Sequence, residues 1–209
     1  MQNIREMLKP SNYIKIFLLL FVFSCATEKI SDPLAYIKLF DEAGKGLMEE
    51  KNIGDLNFSL LYKPQAYMAL KENREFAANT EKVKELIHNY DGFQYYTLRV
   101  KVNNQSLGKD VLSYNAAGAA DYQERVKYFA FDMQKDIKLV SGGDTLPCVL
   151  FHFERNFGIT DFSNFLLSFP QSKNVNEDRV FVYEDKVLGT GLVKLTVKAE
   201  DINQLPNFN

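Results

Sequence analysis

The chain reads Tyr-Thr-Leu-Arg-Val-Lys-Val at residues 96–102, where apolar and polar side chains alternate. Successive side chains of a β-strand point to opposite faces of its sheet, so this alternation predicts a strand that is buried on one face. The Asn103-Asn104 pair that follows is typical of a turn. The stretch therefore favours a fold built on a half-buried, mostly antiparallel sheet.

Further short strands are predicted on both sides of this stretch. Residues 56–62 alternate in the same way, and a turn at 52–55 joins them to a preceding strand at 47–51. Downstream strands are predicted at residues 125–131, 137–140, 147–154, 162–169, 179–183 and 192–198. Residues 106–121 are rich in Ala and Gly and are predicted to be a mobile loop. Short strands separated by turns indicate a β-sandwich or a partly open barrel.

Helices are predicted in the first half of the chain. Ser31 or Asp32 can cap a helix whose first residue is Pro33, and Pro64 can open another. Residues 80–90 carry apolar side chains at i, i+3, i+4 and i+7, the stripe of an amphipathic helix. The predicted fold class is therefore α+β and β-rich, with helices in the first half covering a mostly antiparallel sheet or β-sandwich.

The start of the chain has the layout of a secretory signal peptide. Lys9 and Lys15 precede an apolar run at residues 16–23, and the small residues Ser24 and Ala26 flank a cysteine directly after it. The run is too short to cross a hydrocarbon core, which needs roughly 20 residues. The segment is therefore expected to direct export and to form no part of the fold.

Residues 22–25, Val-Phe-Ser-Cys, resemble the lipobox of bacterial lipoproteins. The resemblance implies cleavage just before Cys25, diacylation of its thiol, and an acyl chain such as palmitate on the new amino group. Ala26 after the cysteine implies sorting to the outer membrane of a Gram-negative bacterium. Two alternatives stay open. Cleavage after Ala26 by an ordinary signal peptidase would release a soluble protein, and an uncleaved segment would be an amino-terminal anchor.

These signals divide the chain into a signal peptide at 1–24, a lipidated tether at 25–32 and a single α+β domain at 33–209. Hydrophobic residues make up 46% of the chain and charged residues 25%, as expected for a packed core. The formal net charge is −2, so no basic surplus favours nucleic acid as a partner. If Cys25 is acylated, Cys148 is the one remaining thiol, and we expect it to be buried and inert.

No catalytic residue, metal site or cofactor is predicted. Cys148, His152 and Glu154 share a face of one predicted strand, and all three residue types can bind metals. Cys148 and His152, however, are separated by about twice the roughly 7 Å between neighbours on one face. That distance is too long for one metal ion or for a thiol–imidazole pair.

Aromatic side chains are dense along the predicted strands near residues 151–170. If several of them lie on the exposed face, they form an interaction surface; packing in the interior is the competing interpretation. The candidate surface residues are Phe151, Phe153, Phe157, Phe162 and Phe165.

Taken together, these features predict an envelope lipoprotein that is held to the membrane by lipid and acts as a non-enzymatic binding or scaffold subunit for another envelope protein. One alternative is a hydrolase whose two catalytic carboxylates are brought together by the fold. The other is a carrier of hydrophobic ligands, which requires an apolar cavity of several hundred Å³.

Overall fold

The computed structural model describes residues 29–42, 47–73, 75, 79–107 and 109–208. The predicted signal peptide and Cys25, the predicted acylation site, lie outside the described residues. Within them are eleven strands and five α-helices. The strands are β1 (Lys29–Ile30), β2 (Met48–Ile53), β3 (Leu56–Lys63), β4 (Phe93–Val102), β5 (Ile137–Ser141), β6 (Asp144–Pro147), β7 (Leu150–Glu154), β8 (Phe162–Pro170), β9 (Arg179–Glu184), β10 (Leu192–Val197) and β11 (Asn207–Phe208). The helices are α1 (Pro33–Glu42), α2 (Gln65–Glu72), α3 (Thr80–His88), α4 (Ala119–Lys127) and α5 (Ala199–Asn203).

The larger sheet has five antiparallel strands in the order β2-β3-β4-β8-β7. Its middle strand, β4, contains the alternating stretch at residues 96–102. Leu98 lies opposite Leu60 of β3 and Phe165 of β8, and all three side chains are fully buried. Arg99, the next residue along β4, is on the outer face and is exposed. The strand predicted from the alternation is confirmed.

The smaller sheet has four antiparallel strands in the order β10-β9-β5-β6. Phe181 of β9 lies between Leu195 of β10 and Leu139 of β5, and all three belong to the same buried cluster as Leu98. The inner faces of the two sheets therefore pack on each other and form the main core. Each fully buried Leu or Phe contributes about 1.5–3 kcal/mol through removal of its apolar surface from water. The α+β, β-rich class is thus observed as a β-sandwich with added helices.

A second, smaller core lies on the outer face of the larger sheet. It contains side chains from helices α1, α2 and α3, among them Phe40, Leu70 and Val83. Leu61 on the outer face of β3 packs against this cluster. Helix α1 begins at Pro33, and the Asp32 carboxylate accepts a hydrogen bond from the backbone N–H of Leu34 at 3.0 Å, as its position before the helix predicted.

The first and last described strands are joined. Strand β1 pairs in parallel with β11, so that Lys29 lies opposite Asn207. The Phe208 ring contacts the Tyr36 ring of α1 at 5.4 Å between centroids. Residues 29–30, which fall within the predicted tether, are thereby fastened to the helical side of the fold.

Residues 125–131 form no strand, contrary to the sequence-based expectation. They belong to α4 and to the π-helical turn at Tyr128–Asp132 that continues it. Val126, Phe129 and Met133 recur at helical spacing and pack towards the main core, and this burial outweighs the strand preference of the β-branched and aromatic residues. Helices therefore occur in the second half of the chain as well as in the first.

The segment at 106–121 differs from the expected mobile loop. Val111 and Leu112 in this segment are fully buried in the main core. Arg125 of α4 is also buried; its Nε lies 3.1 Å from the Asp121 carboxylate, and it donates a hydrogen bond to the Tyr114 carbonyl. Residues 110–114 of the segment are therefore packed against the sandwich, whereas residues 117–120 are exposed.

The strand predicted at 147–154 is divided between the two sheets. Strand β6 ends at Pro147 in the smaller sheet and β7 begins at Leu150 in the larger one. Cys148 and Val149 connect the two strands and thereby the two sheets.

None of the described helices combines the length and the hydrophobicity required to cross a membrane.

Candidate functional site

A groove lies on the outer face of the larger sheet, beside helices α1 and α2. It has two adjoining parts of about 270 and 220 Å³, and we call it the sheet groove. The residues that line both parts are Phe40, Asp41, Leu61, Thr97 and Arg99. Met48 and Ser59 line only the larger part. The smaller part is also lined by Lys63, Tyr67, Glu154, Asn164 and Leu166.

The floor of the groove is formed by outward-facing residues of β3, β4 and β8, which the strand register brings side by side. Thr97 of β4 lies opposite Leu61 of β3 and Leu166 of β8. Two residues along β4, Arg99 lies opposite Asn164. Residues two apart on a strand share a face, so both rows point to the same side of the sheet.

The Arg99 guanidinium is held in one orientation. Its Nε donates a hydrogen bond to Asn164 Oδ1 at 3.0 Å, and the group stacks 4.0 Å from the centre of the Phe162 ring. Asn164 Nδ2 in turn donates to Glu154 Oε2 at 2.8 Å. The terminal nitrogens of Arg99 have no hydrogen-bond or ion-pair partner among the residues that the structure describes.

A second cation, Lys63, borders the groove. Its Nζ lies 5.9 Å from the centre of the Tyr67 ring and forms no ion pair with any described residue. Burial lowers the pKa of the Lys63 ammonium, an effect that the Glu154 carboxylate partly offsets. In contrast, Asp41 accepts hydrogen bonds from the Tyr67 hydroxyl at 2.7 Å and from Lys71 Nζ at 2.6 Å.

Thr97 is the polar residue at the centre of the floor. Its side chain is only 8% exposed, and its hydroxyl has no hydrogen-bond partner in the described part of the chain. Burial of an unsatisfied hydroxyl costs about 1–3 kcal/mol. The groove therefore combines an orphan hydroxyl with two cations that lack carboxylate partners, a set of groups suited to an anionic ligand.

The structure places the five candidate surface aromatics in different environments. Phe165 is fully buried in the main core, and the Phe151 and Phe153 rings lie 6.0 and 5.0 Å from it. These three residues pack on the interior side of β7 and β8, in agreement with the competing interpretation of interior packing. Phe162 lies under Arg99, whereas Phe157 is 71% exposed in the turn after β7.

Cys148 and His152 lie in different environments. Cys148 is buried in the main core, and its thiol contacts the Leu150 carbonyl oxygen at 3.1 Å. Burial raises the pKa of the Cys148 thiol to about 12. His152 is exposed on the outer side of β7, and the described residues contain no group of three or more His, Cys, Asp or Glu side chains arranged to hold a metal ion.

Sequence reasoning missed the groove. The alternation places Thr97 and Arg99 on the polar face of their strand, and no site was predicted there. The available signal was the alternation itself, which identifies the residues that share the outer face. It contains no information on where α1 and β7 lie.

The comparisons with known proteins are sparse. No protein-family model matches the chain, and no curated protein matches it. Among solved structures, it is similar to the crystal structure of a DUF4426 family protein from Pseudomonas aeruginosa PAO1, with a TM-score of 0.33 and 10% sequence identity. The alignment covers 73% of this chain and 92% of that one.

Proposed function

We propose that the chain is a lipid-anchored envelope protein that binds a ligand in the sheet groove without transforming it. The observation that carries the binding role is the partnerless hydroxyl of Thr97 beside the oriented guanidinium of Arg99. Native proteins satisfy most buried polar groups, so such a set at the floor of a groove indicates a missing partner. An envelope protein is the proposed source of that partner.

The anchor is proposed from the lipobox-like residues before Cys25. Two or three acyl chains hold a protein stably, because each buried methylene contributes about 0.8 kcal/mol. Lys29 is fixed in β1, so the chain from Cys25 to Lys29 spans at most about 14 Å when extended. A lipid at Cys25 would therefore keep the end of the fold formed by β1 and β11 next to the membrane, with the outer membrane as the proposed location.

Replacement of the acylated cysteine tests the anchor. We expect the unaltered protein to partition into the detergent phase of Triton X-114 and Cys25→Ser to move to the aqueous phase. Cys148→Ser is the matched control and should partition like the unaltered protein, because Cys148 is buried in the core. The mass of the mature amino terminus gives the chemistry directly. An unmodified Thr27 start or an intact Met1 would contradict the lipid anchor.

A hydrolase is the second candidate, because the smaller part of the groove is lined by two carboxylates, Asp41 and Glu154. Both already have partners: Asp41 is bound to Lys71 and Tyr67, and Glu154 to Asn164. A catalytic pair would need one carboxyl group free to donate a proton.

The groove also differs from the apolar cavity that a carrier of hydrophobic ligands requires.

Chromogenic glycosides test the hydrolase. The binding role predicts no turnover above buffer for either the unaltered protein or Glu154→Gln. A measurable rate that Glu154→Gln abolishes, while a surface control such as Glu200→Gln retains it, would replace the binding role with the hydrolase.

A further inference from the structure

The charge balance of the sheet groove favours a ligand with one negative charge. Lys63 and Arg99 lack carboxylate partners in the described chain, whereas Asp41 is neutralised by Lys71. Glu154 of β7 lies on the far side of Asn164 from Arg99 and offsets part of the positive charge. One positive charge remains in excess. A dianion such as phosphate would bring a second negative charge towards Glu154.

The geometry of Arg99 favours a planar anion. Asn164 and Phe162 fix the guanidinium through its Nε and one face, and the two terminal nitrogens stay available. A carboxylate matches this fork with two parallel hydrogen bonds. Because the side chain is already ordered, it loses little conformational freedom when a ligand binds.

Thr97 supplies an independent observation. Thr97 lines both parts of the groove, and its buried hydroxyl has no partner among the described residues. A ligand oxygen over the centre of the floor would give this hydroxyl a hydrogen bond. Leu61, Leu166 and Phe40 surround the same space and would contact an apolar part of the ligand.

We infer that the sheet groove binds a ligand that carries a single carboxylate next to an apolar group, with the carboxylate on Arg99 and the apolar group against Leu61 and Leu166, while Lys63 adds positive charge at the border of the groove. The inference rests on the proposed binding role and names its ligand class. Two sources share this chemistry: the carboxyl terminus of a peptide, which the proposed envelope partner would supply, and a free aliphatic acid.

Calorimetry on the purified full-length chain in neutral detergent tests the ligand class. The probes are N-acetyl-leucine, hexanoate, the neutral N-acetyl-leucinamide and inorganic phosphate. We expect at least one of the two carboxylates to bind saturably, and the amide and phosphate to bind about tenfold more weakly or not at all. Binding of N-acetyl-leucine alone identifies a peptide terminus, whereas binding of hexanoate identifies a free acid. Equal affinity for the amide, tighter binding of phosphate, or no binding of either carboxylate would overturn the inference.

Matched variants locate the site. Arg99→Gln should raise the Kd of the bound carboxylate about tenfold or more. Lys101→Gln is the control, because Lys101 lies two residues along the same face of β4, pairs with Asp161 at 3.1 Å and does not line the groove. Its Kd should stay within about twofold of the unaltered value. Equal losses in both variants would show a general charge effect and contradict the assigned site.

Thr97→Val separates a ligand-binding hydroxyl from a structural one. The valine side chain has nearly the same shape, so we expect an equal or higher melting temperature together with weaker carboxylate binding. A lower melting temperature with unchanged binding would remove Thr97 from the site. The Cys25→Ser variant should bind the carboxylate like the unaltered chain, so a failure of the anchor is distinguished from a failure of the groove.

Discussion

Cys148 illustrates how position decides the chemistry of a single residue. Cys148 lies where the chain crosses from the smaller to the larger sheet, and its side chain is buried in the main core. Burial disfavours the thiolate, which is the reactive form of cysteine, and the pKa of the thiol rises to about 12. The expectation of a buried cysteine is confirmed by the structure, and its low reactivity can be measured.

We predict that Cys148 resists alkylation in the native protein. Iodoacetamide at about pH 8 should leave this thiol unmodified and should modify it fully in concentrated urea, where its pKa returns to about 8.5. Peptide mapping by mass spectrometry reads Cys148 separately from any other cysteine. The raised native pKa also means that its contribution to stability is complete below about pH 8.5 and declines as the pH rises towards 12. Equal labelling rates in native and unfolded protein would contradict the prediction.

The connection between β9 and β10 shows how one carboxylate organises an element. The side chain of Asp185 accepts hydrogen bonds from the backbone N–H groups of Val187, Leu188 and Thr190, at 2.7–3.1 Å. Burial acts to raise the pKa of this carboxyl, but these hydrogen bonds outweigh it and the pKa is lowered. Gly189 has φ +78°, a conformation that side chains rarely adopt. The loop therefore depends on an ionised aspartate.

We predict that Asp185→Ala lowers the free energy of unfolding by about 1–3 kcal/mol at neutral pH, because several backbone donors lose their acceptor. A carboxyl with a lowered native pKa stabilises the fold above its unfolded pKa of about 3.9, and this contribution disappears as the pH falls below that value. The difference in the free energy of unfolding between the unaltered protein and Asp185→Ala should therefore become smaller as the pH falls from 7 to 3. Urea unfolding at both pH values measures it.

Glu184→Ala is the matched control for this loop. Glu184 is the adjacent carboxylate, but it is exposed and paired only with the surface residue Lys186. Its removal should change the free energy of unfolding by less than about 0.5 kcal/mol. A loss as large as that of Asp185→Ala, or a loss for Asp185→Ala that is the same at both pH values, would contradict the assigned role.

At the scale of the whole molecule, the two cores share one sheet. The inner face of the larger sheet contributes to the sandwich core, and its outer face carries the helical core. Tyr62 of β3 packs against both clusters. Because the same strands support both cores, loss of one should expose the other.

We therefore predict a single cooperative unfolding transition for the domain assigned to residues 33–209. Phe129→Ala in the sandwich core should cost about 3–5 kcal/mol, and Leu70→Ala in the helical core about 2–5 kcal/mol. Both should shift one common transition, followed in urea by far-ultraviolet circular dichroism and by tyrosine absorption. Two separate transitions, each sensitive to only one substitution, would instead divide the chain into two units.

Local patterns of apolar and polar residues correctly predicted several strands and one helix. The strands at 56–62 and 96–102 and the helix at 80–90 match β3, β4 and α3 to within a few residues, because periods of 2 and 3.6 are properties of the local backbone. The same approach assigned 125–131 to a strand, since Val126 and the following aromatics favour either structure. The helical spacing from Val126 to Met133 was present in the sequence. Only the burial of these side chains against the sandwich distinguishes a helix from a strand here.

The sequence by itself determined which side chains share a face of each strand, and its first residues resemble an export signal, from which the envelope location is proposed. Only the tertiary structure decided which faces became covered. Asp41, Thr97 and Glu154 are far apart along the chain, and they line one groove because strand register and the docking of α1 bring them there. Such pairing depends on contacts between distant segments, whereas the alternation of side chains depends only on neighbouring peptide units.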